Sequence, residues 1–174
     1  MPETSAIPPL EVRPVRPDEY ETAGALVEAA YSAGGLLDND RGYGAHVRDV
    51  AGRVGAVPVL VAVRDGRIVG SVTVTPHGSG HSELAREGEV EFRYLGVAPE
   101  AWGTGVASAL VDAVEAQAAG SGADRLVLCV ISDNVAAERV YERMGFTRVP
   151  ERDRQPMPEV LLRVWQRPVR RPPA

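Results

Sequence analysis

The chain has 174 residues, 44% apolar and 25% charged, with a formal net charge of −5; this suits one domain with a substantial core and gives no basic, aromatic-interleaved face for nucleic acid. No run of 18 apolar residues is present to span a membrane, and MPETSAIPPL lacks the charged-then-apolar pattern of a signal peptide. The single cysteine, Cys129, rules out an intramolecular disulfide and fits a cytoplasmic location, and His46, His77 and His81 lack ligand spacing, so no metal is indicated.

Residues 1–9 carry three prolines and read as a flexible tail. Residues 10–15 read as a first strand. Pro17-Asp18 opens a helix, with Asp18 as cap and Glu21 completing a capping box. Tyr20, Ala23, Val27 and Ala30 give this helix one apolar face, and Gly34-Gly35 ends it. LLDNDRGYG is a turn-rich connection holding Asp38 and Asp40. A second helix carries Tyr43, Val47, Val50, Ala51 and Val54 as its stripe, and Gly55 stops it. Residues 57–63 and 68–75 form a hairpin around the Arg64-Asp65-Gly66 turn. A polar connection over residues 76–88 leads to the central strand.

That strand, EVEFRYLGV over residues 89–97, crowds apolar side chains onto both faces. A loop with Gly103 and Gly105 follows. Then Val106, Ala107, Leu110, Val111 and Val114 form a helical stripe, and Ser121-Gly122 breaks the helix. A helix N-terminus has amide N–H groups without intrahelical partners and a positive dipole end. Glycines beside it let a ligand approach the backbone, so the unit suits a phosphate. Residues 125–131 form another apolar strand, with Cys129 inside it as a small core side chain. Asp133-Asn134 caps a helix over residues 135–144, with Ala137, Val140, Tyr141 and Met144 on one face and Gly145 as its stop. Short strands follow at 146–149 and 159–166. Residues 167–174 read as a solvated tail.

The order is β-α-α-β-β-β-α-β-α-β-β. It predicts a single α/β domain over residues 10–166: a central mixed, twisted sheet flanked by helices. No Gly-Lys-Ser/Thr follows the glycines, and no third glycine completes a dinucleotide fingerprint, so neither nucleotide motif applies.

Two motifs resemble those of the GNAT superfamily of N-acetyltransferases. The first is LGVAPE followed by Trp102-Gly103-Thr104-Gly105-Val106-Ala107, matching Arg/Gln-x-x-Gly-x-Gly/Ala. The second is Asn134-x-x-Ala137-x-x-x-Tyr141-x-x-x-Gly145-Phe146. The resemblance implies acetyl-CoA as cosubstrate and transfer of its acetyl group to a primary amine, with a small-molecule amine as the acceptor the acidic loop favours. It implies that the amides of Gly103 to Ala107 hold the pyrophosphate, and that Leu95, Gly96 and Val97 lie along the pantetheine arm. Asn134 would bond that arm, cap its helix, or both. Trp102 replaces the usual Arg or Gln, as a lid on the helix start or a cover over the cofactor. Glu91 is the first candidate base and Glu89 the second, with a Glu91–Arg93 pairing open. Tyr141 is the candidate acid for the leaving thiolate, being a phenol whose ordinary pKa is about 10. Asp38, Asp40 and Tyr43 are candidate acceptor contacts, with His77 and His81 nearer the mouth. A non-catalytic acyl-CoA-binding module on the same fold is the competing expectation, and a homodimer through the C-terminal strands is ordinary for such proteins.

Overall fold

The computed structural model describes residues 6–37 and 42–173. Within them the chain runs β1 (Glu11–Pro14), α1 (Tyr20–Ala33), α2 (Tyr43–Arg48), α3 (Ala51–Val54), β2 (Val59–Arg64), β3 (Arg67–Pro76), β4 (Glu89–Val97), α4 (Val106–Gly120), β5 (Arg125–Ile131), α5 (Val135–Arg143), β6 (Thr147–Arg148), β7 (Arg154–Met157) and β8 (Val160–Pro168). Among the described residues, eight strands form one sheet in the order β1-β2-β3-β4-β5-β8-β6, with β7 on β8. Among the described strands only β4 and β5 pair in parallel; the other pairings are antiparallel. No helix among the described residues is long and apolar enough to cross a membrane.

Strand alternation divides the core. Leu60 and Ala62 of β2 join Val72, Val74, Val90, Phe92, Leu126 and Leu128 beneath α4 and α5, which contribute Val106, Leu110, Val111, Val114 and Tyr141. Val59 and Val61 point the other way, to Ala23 of α1 and Val50. Val27 and Val47 close the same layer around Tyr94. Helices therefore cover both faces, as the mixed pattern of the sequence predicts.

Several boundaries differ from the sequence reading. The second helix is two, α2 and α3. Asp49 leaves helical geometry (ψ 73°), and its Oδ1 instead accepts the Gly52 N–H at 2.9 Å, the local competition expected of Asp. Arg53 bonds the carbonyls of His46, Val47 and Asp49 and so satisfies the end of α2. Ahead of α1, Pro17–Glu19 form a 3-10 turn in which Glu19 Oε2 accepts the Arg16 N–H at 2.8 Å, and α1 itself starts after Glu19 without a side-chain cap from Asp18 or Glu21. The strand β7 was not expected at all. Residues 169–171, expected as solvated tail, are held down. The Val169 N–H donates to the Asp124 carbonyl at 2.8 Å, Arg170 pairs with Glu115 at 2.9 Å, and Arg171 donates to the Ala123 carbonyl at 3.0 Å.

Candidate active site

The site begins where β4 leaves β5. The two strands are matched only at Glu89–Arg125, Val90–Leu126 and Glu91–Val127. Both run on, to Val97 and Ile131. Between them opens a wedge whose facing backbone has no ladder partner across the gap. Its cause is a bulge: Ser71 pairs with Gly96, but Thr73 pairs with Arg93. Tyr94 absorbs the extra residue at φ 53°, a conformation uncommon outside glycine.

Past the wedge, Gly103 (φ 73°) and Gly105 (φ 85°) bend the chain into α4. A Cβ added at either would meet nothing within 4 Å, so the turn is open. Gly105 is the N-cap and brings no side chain to the helix start. Among the hydrogen bonds of the described residues, the amide N–H groups of Gly103, Thr104, Gly105, Val106 and Ala107 have no acceptor. These are unpaired donors at the positive end of a 15-residue helix. The residues present therefore fit a diphosphate.

Leu95, Gly96 and Val97 end β4 at this turn. Gly96 is packed so tightly that a Cβ would lie 3.0 Å from the Val27 Cα, which lets α1 close over the strand. Trp102 is 54% exposed, yet its Nε1 donates to the Val97 carbonyl at 2.8 Å. The indole thus covers the strand end and brings no charge to the turn. Asn134 caps α5, its Oδ1 accepting the Ala137 N–H at 3.1 Å; its side-chain NH₂ has no acceptor among the described residues.

Tyr141 lies on the inner face of α5, with its ring centroid 6.0 Å from Phe92 and 5.8 Å from Phe146. Its hydroxyl has no hydrogen-bond partner among the described residues. Burial, and then the nearby Cys129, push its pKa well above the ordinary phenol value. Cys129 is itself pushed up to about 11, chiefly by burial. Neither group is ionised near neutral pH.

The two candidate bases sit in different surroundings. Glu89 is buried, which opposes ionisation; hydrogen bonds from Arg152, the Arg86 N–H and Arg125 outweigh that and hold its pKa below the ordinary carboxylate range. Its oxygens are thus occupied by structural partners. Glu91 is 1% exposed. Its Oε2 accepts from Ser82 Oγ at 2.8 Å and from the amides of Glu83 at 2.9 Å and Leu84 at 3.1 Å. Glu91 therefore anchors the 76–88 connection. Its Oε1 has one distant neighbour, Arg93 Nε at 3.8 Å.

Next to Glu91 lies a cluster of rings. Tyr43 has its centroid 6.4 Å from Tyr31 and 6.5 Å from Tyr94, and His46 lies 5.7 Å from Tyr94. Arg53 and Arg93 stack on Tyr94 at 4.4 and 4.9 Å. Arg93 also pairs with Glu83 at 3.2 Å. Tyr43 remains 42% exposed, and burial of its hydroxyl end raises its pKa to about 12. Asp38 and Asp40 lie outside the described residues. His77 is drawn away from the cluster, its Nδ1 bonded to the Ala85 carbonyl at 2.9 Å. Sequence reasoning missed Tyr31, Tyr94 and Arg93 as parts of one cluster, because only the bulge swings strand residue 94 towards helix residues 31 and 43.

Residues 27–146 match the model of the Acetyltransferase (GNAT) family. An acetyltransferase from Pectobacterium atrosepticum is 30% identical over 142 residues, 80% of this chain and 89% of that protein. A mycothiol acetyltransferase from Stackebrandtia nassauensis is 40% identical over 92 residues, which is 52% of this chain but only 28% of that longer relative. In fold, the chain is similar to a GNAT acetyltransferase from Staphylococcus aureus Mu50 (TM-score 0.72, 14% identity, covering 93% of this chain and 100% of that one). It is also similar to an acetyltransferase from Salmonella typhimurium solved with its cofactor acetyl-CoA (TM-score 0.66, 21% identity, covering 95% and 96%). The family model over most of the chain, together with the Pectobacterium relative, shows that the chain belongs to the GNAT family of acetyltransferases.

Proposed function

We propose that this chain transfers the acetyl group of acetyl-CoA to a primary amine of a small molecule, by direct attack within a ternary complex. The observation that carries the reading is the open turn: five successive amides at the start of α4 without an acceptor among the described residues, beside a strand end that has no ladder partner on its β5 side. Acetyl-CoA, when bound, supplies an activated thioester carbonyl and a thiolate leaving group.

The chain's own residues do the rest. The amides of Gly103 to Ala107 hold the diphosphate by charge-assisted hydrogen bonds. Leu95, Gly96 and Val97 offer backbone to the pantetheine arm, and an amide there stabilises negative charge developing on the carbonyl oxygen. Asn134 bonds the arm with its free NH₂. The ring cluster of Tyr31, Tyr43, His46 and Tyr94 forms the acceptor side. Glu91 receives the ammonium proton through Oε1 and a relayed water, since Oε2 is held by the loop. Tyr141 stays protonated and gives its proton to the departing sulfur. Likeness to proteins named mycothiol acetyltransferases supports a small-molecule acceptor.

Release of free thiol from acetyl-CoA across a panel of primary amines tests this. Amine-dependent release is expected. Tight CoA binding with no release on any amine would replace transfer with a non-catalytic acyl-CoA-binding role.

A further inference from the structure

The glycine turn has a neighbour from another strand. β2 and β4 are both antiparallel to β3, so their C-terminal ends lie at one edge of the sheet. Arg64 ends β2 there. Its Nη1 donates to Thr104 Oγ1 at 2.8 Å and its Nη2 to the Thr104 carbonyl at 3.3 Å. Thr104 is the residue between the two glycines.

This guanidinium lacks the carboxylate partner that most of the described arginines have. Arg13, Arg152, Arg163 and Arg170 each pair with a carboxylate at 2.7 to 3.1 Å. Among the described residues no carboxylate pairs with Arg64. Among the described residues its Nε is buried without an acceptor, as is that of Arg167, a costly state for a polar group. Of the five N–H donors of a guanidinium, two are engaged. Trp102, meanwhile, brings no charge, and its one donor is taken by Val97.

We propose that Arg64 is a phosphate-binding residue of this turn, delivering from β2 the cationic side chain that Trp102 does not supply. The ligand chemistry is a diphosphate diester, and the inference rests on the acetyl-CoA reading of the site. An uncompensated cation about 3 Å from the turn strengthens each amide contact to an anion, and its remaining Nη hydrogens add direct donors.

Calorimetric binding of CoA and of 3′-dephospho-CoA to wild type, Arg64→Gln and Arg64→Lys decides it. Arg64→Gln keeps a donor for Thr104 and loses the charge; Arg64→Lys keeps the charge. At about 50 mM salt the Gln variant is expected to weaken both ligands about tenfold, and the Lys variant by about threefold or less. The gap between wild type and Gln should narrow at about 300 mM salt. Unchanged affinity in Arg64→Gln overturns the proposal. So does an equal loss in Gln and Lys, which would make Arg64 a buttress for Thr104. A loss seen with CoA but absent with the dephospho form also overturns it, by moving Arg64 to the 3′-phosphate. Wild type that binds neither ligand overturns the reading of the site itself.

Discussion

Tyr141 is the residue at which chemistry and packing separate most cleanly. Its ring packs with Phe92 and Phe146, and Tyr141→Phe keeps that ring while removing only an oxygen without a protein partner. The variant should therefore fold as wild type and bind CoA with the same affinity, while kcat falls roughly tenfold or more, within the usual range for a general acid. Steady-state kinetics beside calorimetry check this; equal kcat would remove the role. Because burial raises the pKa of both Tyr43 and Tyr141, neither contributes an alkaline limb near neutral pH. Glu19 offers a stability test away from the site. Hydrogen bonds from Arg13 lower its pKa from 4.5 to about 2. A depressed folded-state pKa stabilises above the unfolded value and loses that stabilisation as pH falls through the folded value. The melting temperature of wild type should exceed that of Glu19→Gln above about pH 4.5, and the difference should shrink towards pH 2.

At the scale of elements, helix α4 is positioned by what β3 lacks. A Cβ at Gly70 would lie 2.7 Å from Val106 Cγ1 and 3.0 Å from Leu110 Cδ1. Gly70→Ala must push the first turns of α4 outward, so it should destabilise by about 1–3 kcal/mol, as overpacking does. It should also weaken CoA binding, because the same turns carry the amides proposed to hold the diphosphate. Gly120→Ala, at the far end of α4 where a Cβ meets nothing within 4 Å, should leave both quantities near wild type; chemical unfolding and calorimetry measure the pair. The elements themselves were largely legible in the sequence. Helical periodicity marked α1, α4 and α5, short continuous apolar runs marked β2, β4 and β5, and the Asp-Gly turn and helix-ending glycines marked boundaries. What stayed hidden depends on contacts distant in the chain. Nothing in EVEFRYLGV announces a bulge at Tyr94, since the register is set by β3. Arg64 reads as part of a turn until β2 and β4 are placed at one sheet edge. Glu91 stood out as a carboxylate at a motif position, but its three donors come from a connection whose path the sequence does not show. Asp49 splits a helix whose apolar stripe runs through it unbroken.

Across the whole molecule, the proposed site draws on pieces that the chain order keeps apart. The phosphate turn follows β4, the acid candidate lies on α5, and the ring cluster comes from α1, α2 and the bulge. Tying down residues 169–171 against Ala123, Asp124 and Glu115 fixes the opposite end of β5, so the wedge opens at one end only. Amide hydrogen exchange with and without a saturating concentration of CoA reads this arrangement directly. The expected result is slowed exchange at residues 103–107 and at 95–97, with little change in β1, β2 or the 169–171 segment. CoA that binds while the amides of 103–107 exchange as fast as in the free protein would contradict it.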